Sequence, residues 1–253
     1  MPQLSRLCTI SGDEKQLRIL DSVPVQIAPA LSGVTLFNFG QSNNGILVVT
    51  AGTAYNITPN VSFTANVVVW GAGGSPAAAG GGGFSTGTIK FEAGVSYNVA
   101  AGSAGASSSG GGGSGIEYLT NANPILIAGG GGGGASGGAG GGVFAANGTG
   151  RGATSYGTTS PGTYRTGGPG TGSSFGMGFG GTGTGAGGGG MYGGALNATS
   201  GGGGAGWISP SIDPTGNTIT GSGASAANPS HPLRGNFGNA ANNGLIVITI
   251  LNT

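Results

Sequence analysis

Chemistry needs side chains that can hold a proton, a metal or an electron pair, and this chain is sparing with them. Its 253 residues include one histidine, His231, and one cysteine, Cys8, with seven Lys+Arg against six Asp+Glu and a formal net charge of +1. After Glu117 the only carboxylate is Asp213. No catalytic triad, general acid/base pair or metal-ligand cluster can be built from the second half, so the expectation is a protein that is not an enzyme and holds no metal or other cofactor. Matches to G-x-G-x-x-G are expected by chance in so glycine-rich a chain, and none combines with a strand, a helix and an acidic partner. Calcium-binding nonapeptide repeats need aspartates that the glycine runs lack, and collagen needs a strict every-third glycine that is absent.

What the second half offers is contact chemistry. Arg151, Tyr156, Tyr164, Arg165, Phe175, Phe179, Tyr192, Trp207, His231 and Arg234 stand on glycine-bounded segments between Val143 and Gly244. Tyr, Trp and Arg are the side chains that most often anchor binding hot spots, and loops are where such anchors are displayed. These ten residues are the candidate binding set. The competing reading is that Trp207 and the phenylalanines fill gaps in the core.

The elements that must position them are unusual. The chain has 64 glycines, with a hexaglycine at Gly129–Gly134 and tetraglycines at Gly80–Gly83, Gly110–Gly113, Gly187–Gly190 and Gly201–Gly204. Residues without a β-carbon can lie against other backbones at distances that no side chain permits. A left-handed three-residue helix of the polyproline II kind makes no hydrogen bonds within itself, so such runs are ordered only in bundles. Flexible linker is the alternative, but the spacers are Ala, Val, Ile and Phe, charged residues are 5% of the chain, and the mean hydropathy is +0.14. Disordered segments combine low hydrophobicity with high charge, which is the opposite balance.

Between the glycine runs the pattern is β. Val34–Phe39 and Ile46–Thr50 flank an Asn/Gly turn and read as a hairpin, and Ala54–Thr58 is a strand stopped by Pro59. Val67–Trp70 is a continuous apolar run of the kind covered on both faces, with Trp70 in the core. Thr88–Phe91, Val95–Ala101, Ile116–Thr120 and Ile125–Ala128 repeat the theme, and Leu245–Leu251 predicts a terminal strand near the middle of a sheet. The fold class is all-β: a glycine-rich sandwich of β-strands and packed polyglycine II helices, with little or no α-helix.

Residues 1–32 differ, holding Arg6, Asp13, Glu14, Lys15, Arg18 and Asp21, nearly half of the charged side chains. They read as an N-terminal attachment segment, with Leu4, Leu7, Leu17 and Ile19 as its apolar contacts and an extended edge around Val23–Ile27. Residues 33–253 form the second unit. A single cysteine excludes an intrachain disulfide. The near-zero charge offers no field for nucleic acid, and no apolar run approaches a membrane span, so neither partner is expected.

The succession VVVWGAGG, GGGGFSTGTIKFEAGVSYNVAAG, GGGGSGIEY, ILIAGGGGGG and the terminal GLIVITI resembles the glycine-rich domain of receptor-binding adhesins on the tail fibres of tailed bacteriophages. More remotely it resembles the glycine-rich ectodomain module of anaplastic-lymphoma-type receptor kinases. The first resemblance spans roughly residues 61–253. It implies a non-enzymatic tip adhesin assembled in the host cytoplasm and located on the virion, whose loops at 144–186, 191–200 and 207–243 face a bacterial outer-surface protein or glycan. It also implies that the N-terminus binds other tail-fibre chains, with a tip monomer or a homotrimer both compatible. Residues 1–32 do not match the family's attachment region. Rival readings are a structural virion protein without receptor binding and, less favoured, an ice-binding protein.

Overall fold

The structure, a computed structural model, describes residues 54–142, 185–195, 199–209, 212 and 216–252, together with strands at 18–19, 25–27, 34–39 and 46–50. The strands in chain order are β1 (Arg18–Ile19), β2 (Val25–Ile27), β3 (Val34–Phe39), β4 (Ile46–Thr50), β5 (Ala54–Pro59), β6 (Phe63–Trp70), β7 (Phe84–Phe91) and β8 (Tyr97–Ala100). They continue with β9 (Ser114–Tyr118), β10 (Pro124–Ala128), β11 (Trp207–Ile208), β12 (Asn217–Ile219) and β13 (Leu245–Asn252). No helix occurs among the described residues. Sheet one runs β1-β4-β13-β6-β7-β12 and is antiparallel throughout. Sheet two runs β11-β10-β9-β8-β5-β3-β2 and is antiparallel except for the β3–β5 pair.

The expected hairpin at residues 34–50 does not form. β3 pairs with β2 and β5 in sheet two, whereas β4 pairs with β1 and β13 in sheet one. β3 and β4, neighbours in sequence, therefore belong to different sheets, and β4 lies against the apolar strand β13. The other strand expectations hold: β13 lies between β4 and β6, in the interior of sheet one. The N-terminal segment is not wholly apart from the sandwich, since β1 and β2 are edge strands of the two sheets and Ile19 is in register with Leu47.

Alternation along β6 and β13 explains their unbroken apolar sequences. Val67, Val69, Ile246, Ile248 and Ile250 point between the sheets, with Ile57, Phe91, Val99, Ile116 and Leu126. Val68, Trp70, Leu245 and Val247 point the other way and form a second core with Phe84, Ala226 and Ala227. A segment at 224–243 therefore covers the outer face of sheet one. Trp70 is fully buried and its indole N–H donates to Ala227 O at 3.0 Å, fastening that cover.

At one end of the sandwich the strands run directly into glycine: β6 into Gly71, β10 into Gly129, and β7, β9, β11 and β13 out of Gly83, Gly113, Gly206 and Gly244. Two buried serines close the transition. Ser114 Oγ donates to Trp70 O at 2.6 Å and accepts from Gly102 N at 2.9 Å. Ser85 Oγ donates to Ile127 O at 2.7 Å. Each hydroxyl crosses from its own sheet to a backbone carbonyl of the other.

Beyond the serines the backbone pairs only sideways, with a repeat of three residues. Along 129–134, Gly130 and Gly133 donate to Gly189 O and Ala186 O, Gly131 and Gly134 to Ala72 O and Ser75 O, and Gly132 to Gly138 O. In return Gly129 O and Gly132 O accept from Gly83 and Gly80, Gly130 O and Gly133 O from Gly204 and Gly201, and Gly131 O from Gly111. The hexaglycine is thus enclosed by the segments around 72, 81, 110, 138, 188 and 202. A β-carbon on Gly131 would overlap Gly80 O, and one on Gly130 would overlap Gly111 O. Alanines are tolerated at the margins, where Ala72, Ala139, Ala186 and Ala205 are buried.

Candidate binding surfaces

The bundle ends, away from the sheets, in turns at 75–79, 106–108 and 134–137. Their exposed residues are Pro76, Ala77, Ala78, Ala106, Ser107, Ala135 and Ser136, with exposed Thr199 next to the last turn, where Ser136 N donates to Ser200 Oγ at 3.1 Å. Ser107 and Ser108 both lie in the left-handed region, at φ 44° and 71°. This conformation reverses the chain without a glycine and costs roughly 1–2 kcal/mol per residue. The tip is small and uncharged. Sequence reasoning passed over these turns, although the breaks SPAAA, ASSS and AS within glycine runs were a readable signal.

Of the ten candidate binding residues, Arg151, Tyr156, Tyr164, Arg165, Phe175 and Phe179 lie outside the described residues, as do Leu4, Leu7 and Leu17 of the attachment set. The remaining four separate into two places. Trp207 in β11 is in register with Ile127, and its neighbour Ile208 packs into the inter-sheet core, so alternation turns Trp207 to the outer face of sheet two. Tyr192 is at the same junction: its carbonyl accepts from Ala205 N at 2.9 Å, and Met191 N donates to Ala205 O at 2.9 Å. Both aromatic residues are half-buried. Their bodies are held by the scaffold while part of each remains available to solvent.

His231 and Arg234 sit on the opposite side, in the cover over sheet one, where His231 is half-buried and Arg234 is buried. The His231 ring lies edge-on to Trp70, with centroids 4.9 Å apart and planes at 65°. Its Nδ1 accepts from Leu233 N at 3.3 Å, and burial holds its pKa below the ordinary value. Arg234 is only 6% exposed. Its Nη1 donates to Phe237 O at 3.0 Å and to Asn239 Oδ1 at 2.8 Å, tying the turn that carries Phe237 against the second core. The physical reason is the shape of sheet one: Val68, Trp70, Leu245 and Val247 face outward and need a lid, and the 224–243 segment is that lid.

Among the described residues no three His, Cys, Asp or Glu side chains come together as a metal site requires, and no helix is long and apolar enough to cross a membrane. Glu117, on the outer face of sheet two, is buried and accepts from Asn98 Nδ2 at 2.8 Å. Tyr97 lies in the core with its hydroxyl accepting from Glu92 N at 2.8 Å, and burial pushes its pKa up.

Together the fold and these surfaces define an all-β protein in which a two-sheet sandwich continues into a laterally hydrogen-bonded glycine bundle. No protein-family model matches the chain, and no curated protein matches it either.

Proposed function

We propose that this protein is a non-enzymatic adhesin of a bacteriophage tail fibre, in which a rigid bundle of polyglycine II helices presents aromatic and polar side chains to a receptor on a bacterial surface. The observation that carries the proposal is the three-residue repeat of lateral hydrogen bonds along Gly129–Gly134, the rotational period of a polyproline II-type helix. Every central N–H and C=O is committed to a neighbouring segment, and no side chain separates the backbones. Such a scaffold orders its surface before a partner arrives, so less conformational entropy is lost on binding. The half-buried Tyr192 and Trp207, close together at the bundle junction, fit the role of anchors.

One feature favours a second reading. The described tip carries only Pro, Ala, Ser, Thr and Gly, a surface as suited to spacing or capping other virion chains as to recognising a cell. Labelled protein added to a panel of bacterial strains, and to virions stripped of it, separates the two. Under the adhesin reading a subset of strains binds saturably, intact phage competes, and the folded Tyr192→Ala/Trp207→Ala double variant binds at least about tenfold more weakly. Rebinding to the particle with no cell binding would instead make the protein architectural.

A further inference from the structure

Arg234 carries a charge that the described residues do not balance. Arg234 is 6% exposed within the lid, with its Nε buried, and desolvation of an unpaired cation is strongly unfavourable. No Asp or Glu occurs between 216 and 252 or in β4 and β6. The remaining carboxylates of the described residues are Glu92, after β7 at the end of the sandwich away from the glycine bundle, and Glu117, on the outer face of sheet two. Among the described residues, the neutral oxygens Phe237 O and Asn239 Oδ1 both accept from Nη1. Nε is buried and has no acceptor among the described residues.

The geometry of this shortfall is specific. Nε–H and the adjacent Nη2–H lie parallel on one edge of the guanidinium plane, the edge that grips two oxygens of a single oxyanion. Nη1, the nitrogen already engaged, is on the other side of the group. The turn at 234–239 therefore fixes the guanidinium through Nη1 and leaves Nε, on the bidentate edge, without an acceptor among the described residues.

We propose that the Nε–Nη2 edge of Arg234 is a binding site for a small oxyanion, a carboxylate or a phosphate, entering at the lid over sheet one. The anion neutralises the buried charge and gives Nε its acceptor. This site is independent of the adhesin reading and faces away from Tyr192 and Trp207, so either proposal can fail without the other.

The test is a titration of the full chain with acetate, glucuronate and inorganic phosphate, at an ionic strength held constant with chloride, following the arginine Nε–H resonances by NMR. The expected result is a saturable displacement of one resonance, the one missing from Arg234→Lys, by at least one oxyanion. Acetate and glucuronate report a carboxylate site; phosphate alone reports a phosphate site. Thermal unfolding of the wild-type chain should shift upward with the same anion, and Arg234→Lys should bind it about tenfold more weakly because the parallel edge is lost. A wild-type resonance that does not move, or that moves equally with chloride, would overturn the proposal. The resonance can be followed in the wild-type chain even if the lysine variant does not fold.

Discussion

The sandwich and the glycine bundle meet the same requirement, a dry interior with its backbone polar groups paired, by opposite means. In the sandwich, strands pair edge to edge and side chains fill the space between sheets, so that Ile246, Val69, Phe91 and Ile116 exclude water. In the bundle each segment pairs in several directions at once and the filling is the backbone itself. The sandwich keeps its interior by having enough carbon, and the bundle by having almost none beyond Cα, with small residues such as Ala72 and Ala186 buried beside the hexaglycine. The serines at the boundary, Ser85 and Ser114, stand where one mode gives way to the other.

This contrast predicts that adding a methyl group to the bundle does more damage than removing several carbons from the sandwich. Gly131→Ala, whose new methyl overlaps Gly80 O, should cost more than about 4 kcal/mol, seen in urea unfolding or as failure to recover folded protein. Ile246→Ala, which empties the centre of sheet one, should cost about 3 kcal/mol by the same measurement. The reverse order would mean that the bundle relaxes around a side chain and is not close-packed. Gly94→Ala sharpens the point: Gly94 has φ 75° but open space around it, so only the backbone penalty of about 1–2 kcal/mol is expected.

The smallest expected effect is in the lid. Burial favours neutral His231, so its folded pKa lies below the unfolded value of about 6.5. The associated stability is present above that unfolded value and is lost as pH falls through the folded one. The thermal midpoint should therefore drop slightly on acidification to about pH 5, and less so in His231→Gln, because the ring is partly exposed and solvent screens the charge. A drop of the same size in the variant would assign the acid sensitivity to other groups.

Much of the sandwich was legible because strands declare themselves locally. The unbroken apolar runs of β6 and β13 announced burial on both faces, and Trp70 announced a core position. Pairing was not legible. The residues between β3 and β4 have the composition of a hairpin turn, yet β4 is recruited by β13 from nearly two hundred residues away, and no local signal carries that choice. The candidate binding residues divide in the same way. Tyr192 and Trp207 were recognisable by type, but the pairing of residues 191–192 with Ala205, two residues before Trp207, depends on which glycine segment lies beside which. Arg234 has the sequence surroundings of an exposed loop arginine, and its burial follows from the outward apolar face of a distant sheet.

The sequence alone determined the all-β class, the apolar strands and the places where no β-carbon can stand, because these depend on side-chain period and on the presence or absence of a single atom. The tertiary structure decided which segments surround the hexaglycine, which sheet takes each strand, and which polar side chains end up inside. A glycine run presents the same backbone donors and acceptors at every position, so its partners are set by the strands that deliver it.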